Sequence, residues 1–126
     1  MAKQKISYDP QVLDLVLYAG DGVGLRLIIT DSAQLPIDLT GTTRAYIRVS
    51  RDVYTELPNA EFLIDDSDAT DGIIVLTLTG DETSALVEDL DGNSFIGVWD
   101  VEWTATDAEP LTLCQGKVEC VPDVTH

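Results

Sequence analysis

Apolar and polar residues alternate with a period of two along most of this chain, and that period predicts strands. From Phe95 to Ala105 the alternation is strict. Phe95, Gly97, Trp99, Val101, Trp103 and Ala105 face one way, and Ile96, Val98, Asp100, Glu102 and Thr104 the other. Its two tryptophans bring the largest apolar areas, so this strand is expected to be central. Leu111 to Val121 returns beside it and stops at Pro122. Ile73 to Thr79 is β-branched and apolar on both faces toward its start, and Leu25 to Thr30 places Leu25, Leu27 and Ile29 on one face. Arg44 to Arg51 turns Ala45, Ile47 and Val49 inward and shows Arg44, Tyr46 and Arg48 on the other side. An apolar run from Val12 to Tyr18 reads as the first strand, and Glu61 to Ile64 as a short one inside a long polar connection over 52–71.

Between the strands the chain is punctuated by turn residues. Gly20-Asp21-Gly22-Val23-Gly24 reads as a hairpin turn. A phosphate-binding glycine loop would open a helix, but Leu25 stands where the third glycine is needed and a strand follows. Leu35-Pro36-Ile37-Asp38-Leu39-Thr40-Gly41-Thr42 reads as a corner. Pro36 cannot donate to a ladder, Ile37 and Leu39 share one side of a short half-buried strand, and Gly41 ends it. Acids in the first turn of Gly80 to Val87, followed by Ala85-Leu86, predict a single helical turn near 81–87 crossing one end of the sheets. Strands at this spacing, with one helical turn, predict an all-β, two-layered antiparallel sandwich over residues 11–126, preceded by an extended polar arm, residues 1–10.

Composition sharpens that picture. At 126 residues there is room for one domain, and 44% hydrophobic residues support a packed core. The net charge of −16 is lopsided: 61–126 hold 16 acids and one base, Lys117. A field of that sign repels phosphate backbones and anionic lipids, so neither nucleic acid nor membrane is an expected partner. The N-terminal residues lack the apolar run of a secretory signal. Cys114 and Cys120 fall on one strand, roughly 20 Å apart if extended, too far for a bridge. They are expected as free thiols in a reducing compartment.

Candidate chemistry is sparse. The single histidine is His126, so no nucleophile has a base beside it, and no catalytic residue or cofactor is expected. Asp65, Asp66, Asp68 and Asp71 form a weak calcium candidate. Counted from Asp66, the EF-hand positions for glycine and the bidentate glutamate hold Asp71 and Thr77, so that motif fails. The tryptophan pair is read as core, with a sugar-stacking platform as the competing use. Arg26, Arg44, Tyr46, Arg48 and Arg51 form the basic cluster, the candidate partner-binding residues. Opposite in sign to the C-terminal half, it makes self-association electrostatically allowed.

The order of these signals carries a resemblance. It runs Pro36-Ile37-Asp38-Leu39-Thr40-Gly41, the Arg44/Arg48 strand, Gly72-Ile73-Ile74-Val75-Leu76-Thr77-Leu78-Thr79, Glu82-Thr83-Ser84-Ala85-Leu86, Gly97-Val98-Trp99-Asp100-Val101-Glu102 and Gly116 to Thr125. That order resembles the small immunoglobulin-like β-sandwich modules of tailed bacteriophages, above all the N-terminal domain of baseplate upper proteins and related minor tail proteins. The resemblance implies a non-enzymatic virion structural protein, made in the bacterial cytoplasm and assembled in multiple copies with other virion proteins. The sequence departs from the longer relatives in carrying no helical linker or receptor-binding extension after the sandwich. Its heavier acidity keeps capsid-surface decoration as an alternative; a carbohydrate- or calcium-dependent binding module is the second.

Overall fold

The computed structural model describes residues 10–50, 58–106 and 108–122. The expected arm, apart from Pro10, lies outside them, as does Arg51. Nine strands and one helix follow in order: β1 (Gln11–Val12), β2 (Leu15–Tyr18), β3 (Val23–Ile28), β4 (Thr42–Arg48), β5 (Ala60–Glu61), β6 (Leu63–Asp65), β7 (Ile73–Leu78), α1 (Gly80–Val87), β8 (Phe95–Thr104) and β9 (Leu111–Val121).

They form two sheets. One has the order β1-β9-β8-β4-β5 with β2 also on β9, and the other is β3-β7-β6. The second, fourth and fifth strands of an immunoglobulin sandwich are thus split from the third, sixth and seventh in the usual way: β3, β7 and β6 take the places B, E and D, and β4, β8 and β9 take C, F and G. The protein is an immunoglobulin-like β-sandwich with one short helix. Its ladders are antiparallel except at one margin, where β1 and β2 run parallel to β9.

The core lies where the two inner faces meet. Trp99, Val101, Trp103, Ala45, Ile47 and Val118 project from the larger sheet, and Leu27, Ile74, Leu76 and Leu78 from the smaller. Trp99 is 1% exposed and Trp103 3%, which settles them in the interior and removes the sugar-stacking platform. The Phe62 and Trp99 rings tilt at 53° with centroids 5.9 Å apart, a favourable offset contact. Next to Val101/Glu102 a bulge shifts the β8–β9 register, so that Leu113 and Cys114, adjacent in sequence, are both buried. Cys114 and Cys120 are free, as expected, and burial pushes both thiols up.

Several expectations need correction. The turn after Tyr18 is not a hairpin: β2 and β3 belong to different sheets, so residues 19–22 cross between layers. The first apolar run is two strands rather than one, because the chain breaks at Leu13-Asp14. There the Leu13 carbonyl leaves the ladder direction to accept the Trp99 indole N–H at 2.7 Å, and Asp14 Oδ1 accepts the Lys117 amide at 2.9 Å. Gly116 makes this possible, since a Cβ at that position would overlap the Leu13 carbonyl oxygen. The octapeptide does form a corner, with Leu39 buried and Gly41 at φ 146°, but the short strand expected around Ile37 and Leu39 does not form; a single bridge joins Pro36 to Thr30. Glu61 to Ile64 is split at Phe62, with β5 in one sheet and β6 in the other. Val49, expected inside, is 59% exposed because β4 ends at Arg48.

The predicted helical turn is α1. Thr79 caps it and pairs reciprocally with Glu82 in a capping box. From its inner side Thr83, wholly buried, accepts the Gly20 amide at 3.1 Å and donates to the Asp21 carbonyl at 2.9 Å, tying the helix to the crossing turn.

Candidate partner-binding face

The outward residues of β4, Arg44, Tyr46 and Arg48, lie on the solvent side of the larger sheet. Register sets their neighbours: Arg44 pairs with Glu102, Tyr46 with Asp100 on one side and Glu61 on the other, and Arg48 with Val98. Side chains directly opposite on antiparallel strands lie close enough to interact. The Arg48 guanidinium sits 4.7 Å from the centroid of the Tyr46 ring and reaches Asp100 Oδ1 at 3.7 Å. Both partners of that ion pair are only slightly exposed, and the guanidinium is held over the tyrosine ring. An open groove of about 580 Å³ runs beside this pair, lined by Arg44, Tyr46, Arg48, Glu102, Pro58 and Pro110.

The cluster expected as basic is therefore a mixed-charge strip. Of the cluster's described members, the structure brings together Arg44, Tyr46 and Arg48. Arg26 lies on β3, in the other sheet, opposite Val75. Asp100, Glu102 and Glu61 complete the strip and were missed. Alternation puts Asp100 and Glu102 on the outer face of their strand, but only the β4–β8 register shows that they stand against the arginines. Such a surface offers donors, acceptors and an aromatic edge to a protein partner. Its carboxylates disfavour a phosphate.

The acidic run does not assemble a metal site. Among the described residues no three His, Cys, Asp or Glu side chains converge to hold an ion. Asp65 instead serves its own turn: its carboxylate accepts the Ser67 amide at 3.0 Å and hydroxyl at 2.7 Å, and these bonds hold it below the usual carboxylate range. Asp68 precedes, and Asp71 closes, a 3-10 turn over Ala69–Asp71. Of the four carboxylates, that of Asp65 shapes the turn. Asp38 does likewise at the corner, where the Thr40 hydroxyl and amide lower its pKa.

No protein-family model matches the sequence, and neither does any curated protein. Among solved structures, a crystal structure of ICOS in complex with ICOS-L and an anti-ICOS-L VNAR domain is similar at 12% identity and a TM-score of 0.45, covering 90% of this chain and 56% of that one. A nucleoside hydrolase-related hypothetical protein from Saccharophagus degradans, associated with carbohydrate metabolism, is similar at 12% identity and a TM-score of 0.30, covering 89% of this chain and 22% of that one. Both likenesses are remote, and the immunoglobulin-like assignment rests on the chain's own strand order.

Proposed function

We propose that this protein is a non-enzymatic structural component of a bacteriophage virion, a tail or baseplate assembly module that works through protein–protein contacts. The observation that carries the reading is the contrast between interior and surface. The space between the sheets is filled by Trp99, Trp103 and Phe62, while the groove over Arg44, Tyr46 and Arg48 stays open on a rigid sheet. A rigid face with alternating charge and an aromatic centre suits docking against another protein. The placement in a virion rests on the sequence resemblance, with other virion proteins and further copies of this chain as partners. The density of acids in 61–126 favours a second location, the outer surface of the capsid, where a strongly charged coat keeps particles apart.

Purified particles from a host carrying the gene test this directly, by mass spectrometry and by electron microscopy with an antibody label. Label at the tail or baseplate supports the reading. Label over the head replaces it with the decoration role, and absence of the chain from particles ends it. The double variant Arg44→Glu with Arg48→Glu is expected to fold and to lose incorporation at least about tenfold, which corresponds to about 1.4 kcal/mol.

A further inference from the structure

The smaller sheet ends at β3, and that edge is unevenly finished. Beyond Ile28 the chain folds back on itself: Asp31 donates to the Leu35 carbonyl at 2.9 Å, Ile37 donates to the Ile29 carbonyl at 3.1 Å, and Thr30 bridges Pro36. Where that segment lies alongside, the inward Ile29 is sealed at 1% exposure. Along Val23 to Ile28 no described residue pairs with the side of β3 away from β7. There Val23 and Leu25 point inward yet stay only partly buried against the core. A strand of five or six residues laid on this edge would pair its open N–H and C=O groups and cover both side chains.

We propose that residues 1–9 of a second copy of this chain supply that strand. In Lys3-Gln4-Lys5-Ile6-Ser7-Tyr8, Gln4, Ile6 and Tyr8 fall on one face and Lys3, Lys5 and Ser7 on the other, which matches an edge with one apolar side. The segment carries two lysines and one aspartate in a chain whose total is −16, which attracts it to another molecule at long range, while Arg26 on the outward face of β3 leaves its apolar side to set where it docks. Topology favours the second copy over the first. β1 and β2 lead toward the crossing turn at 19–22 and β3 leads away from it, so Gln11 and Ile28 lie at the same end of the sandwich. An arm running antiparallel along β3 would finish at the Val23 end, a full strand length from Gln11. Within one molecule only parallel pairing remains, after a reversal at Asp9-Pro10, and parallel pairing is the weaker per residue. A neighbour's arm can run antiparallel without a reversal.

This contact deepens the assembly reading and rests on it, but purified protein tests it without particles. Two variants are mixed, one with Ser7→Cys and one with Gly24→Cys, each with a different tag. Gly24 lies in β3, and a Cβ there meets nothing within 4 Å, so the new thiol is accommodated. Under mild oxidation a disulfide joining the two tags is expected, and a chain lacking residues 1–9 is expected to be monomeric, with faster amide exchange at Val23 to Ile28. Two results overturn the proposal: a bond formed only when both cysteines are in one chain, which would assign the strand to its own molecule, or an oligomer unaffected by removal of residues 1–9. Either leaves the virion assignment standing, to be judged by particle labelling alone.

Discussion

The two faces of the larger sheet are built from the same strands and held by different physics. On the inner face, Trp99, Val101 and Val118 gain from burial and from shape, and the Trp99 indole N–H is given a partner across the fold in the Leu13 carbonyl. On the outer face, Arg44, Glu102, Arg48 and Asp100 meet beside water, where the attraction between charges is weak and its value lies in selecting a partner. The interior therefore tolerates little change and the surface much. Each prediction below strains that division.

Gly116→Ala should do the most damage. Its Cβ would drive into the Leu13 carbonyl and displace the strand carrying the Trp99 bond, at about 3 kcal/mol or more in chemical denaturation. A variant of near-native stability would show that the margin of β1 and β2 is looser than the inner face it borders. Next come the tryptophans as a matched pair. Trp99→Phe removes a donor and strands the Leu13 carbonyl, whereas Trp103 Nε1, although buried, has no partner among the described residues. The first substitution should exceed the second by about 1–3 kcal/mol, and equal losses would mean the indole bond adds nothing beyond volume.

Thr83→Val keeps the shape of a buried side chain and deletes its bonds to Gly20 and Asp21, for an expected loss of about 1–2 kcal/mol, with faster amide exchange at the crossing turn. On the outer face, Arg48→Ala should lower stability by less than about 1 kcal/mol while weakening partner capture. A large loss of stability there would erase the contrast between faces. The smallest effect belongs to acid. Asp38 and Asp65 are held below their ordinary value of 3.8 by bonds that favour the carboxylate. Their contribution is complete above that value and is lost as pH falls through the folded-state values. Asp38→Asn and Asp65→Asn should flatten that part of the acid profile of the unfolding midpoint.

The sheet-forming segments were legible because a period of two leaves its mark on every central strand, from Phe95 to Thr104 most plainly. The helical turn over Gly80 to Val87 was likewise written locally, by the acids at its start, whereas its capping pair, Thr79 and Glu82, emerged only with the structure. What could not be read were facts of pairing. Nothing near Tyr18 says that its neighbour across the next turn belongs to the opposite layer, and nothing in Glu61 to Ile64 says that Phe62 is where the chain changes sheets. The grouping of the basic cluster could not be read for the same reason: Arg26 shares a charge with Arg44 but lies in a different sheet, while Glu102 gains its neighbour only from the register.

The two thiols sealed beneath β9 give the molecule a built-in reporter. A reagent for sulfhydryls can reach Cys114 and Cys120 only when the layers part, so the rate of modification measures how often the closed sandwich opens, with no probe added. Any partner that clamps the two sheets together should slow that reaction in proportion to its grip.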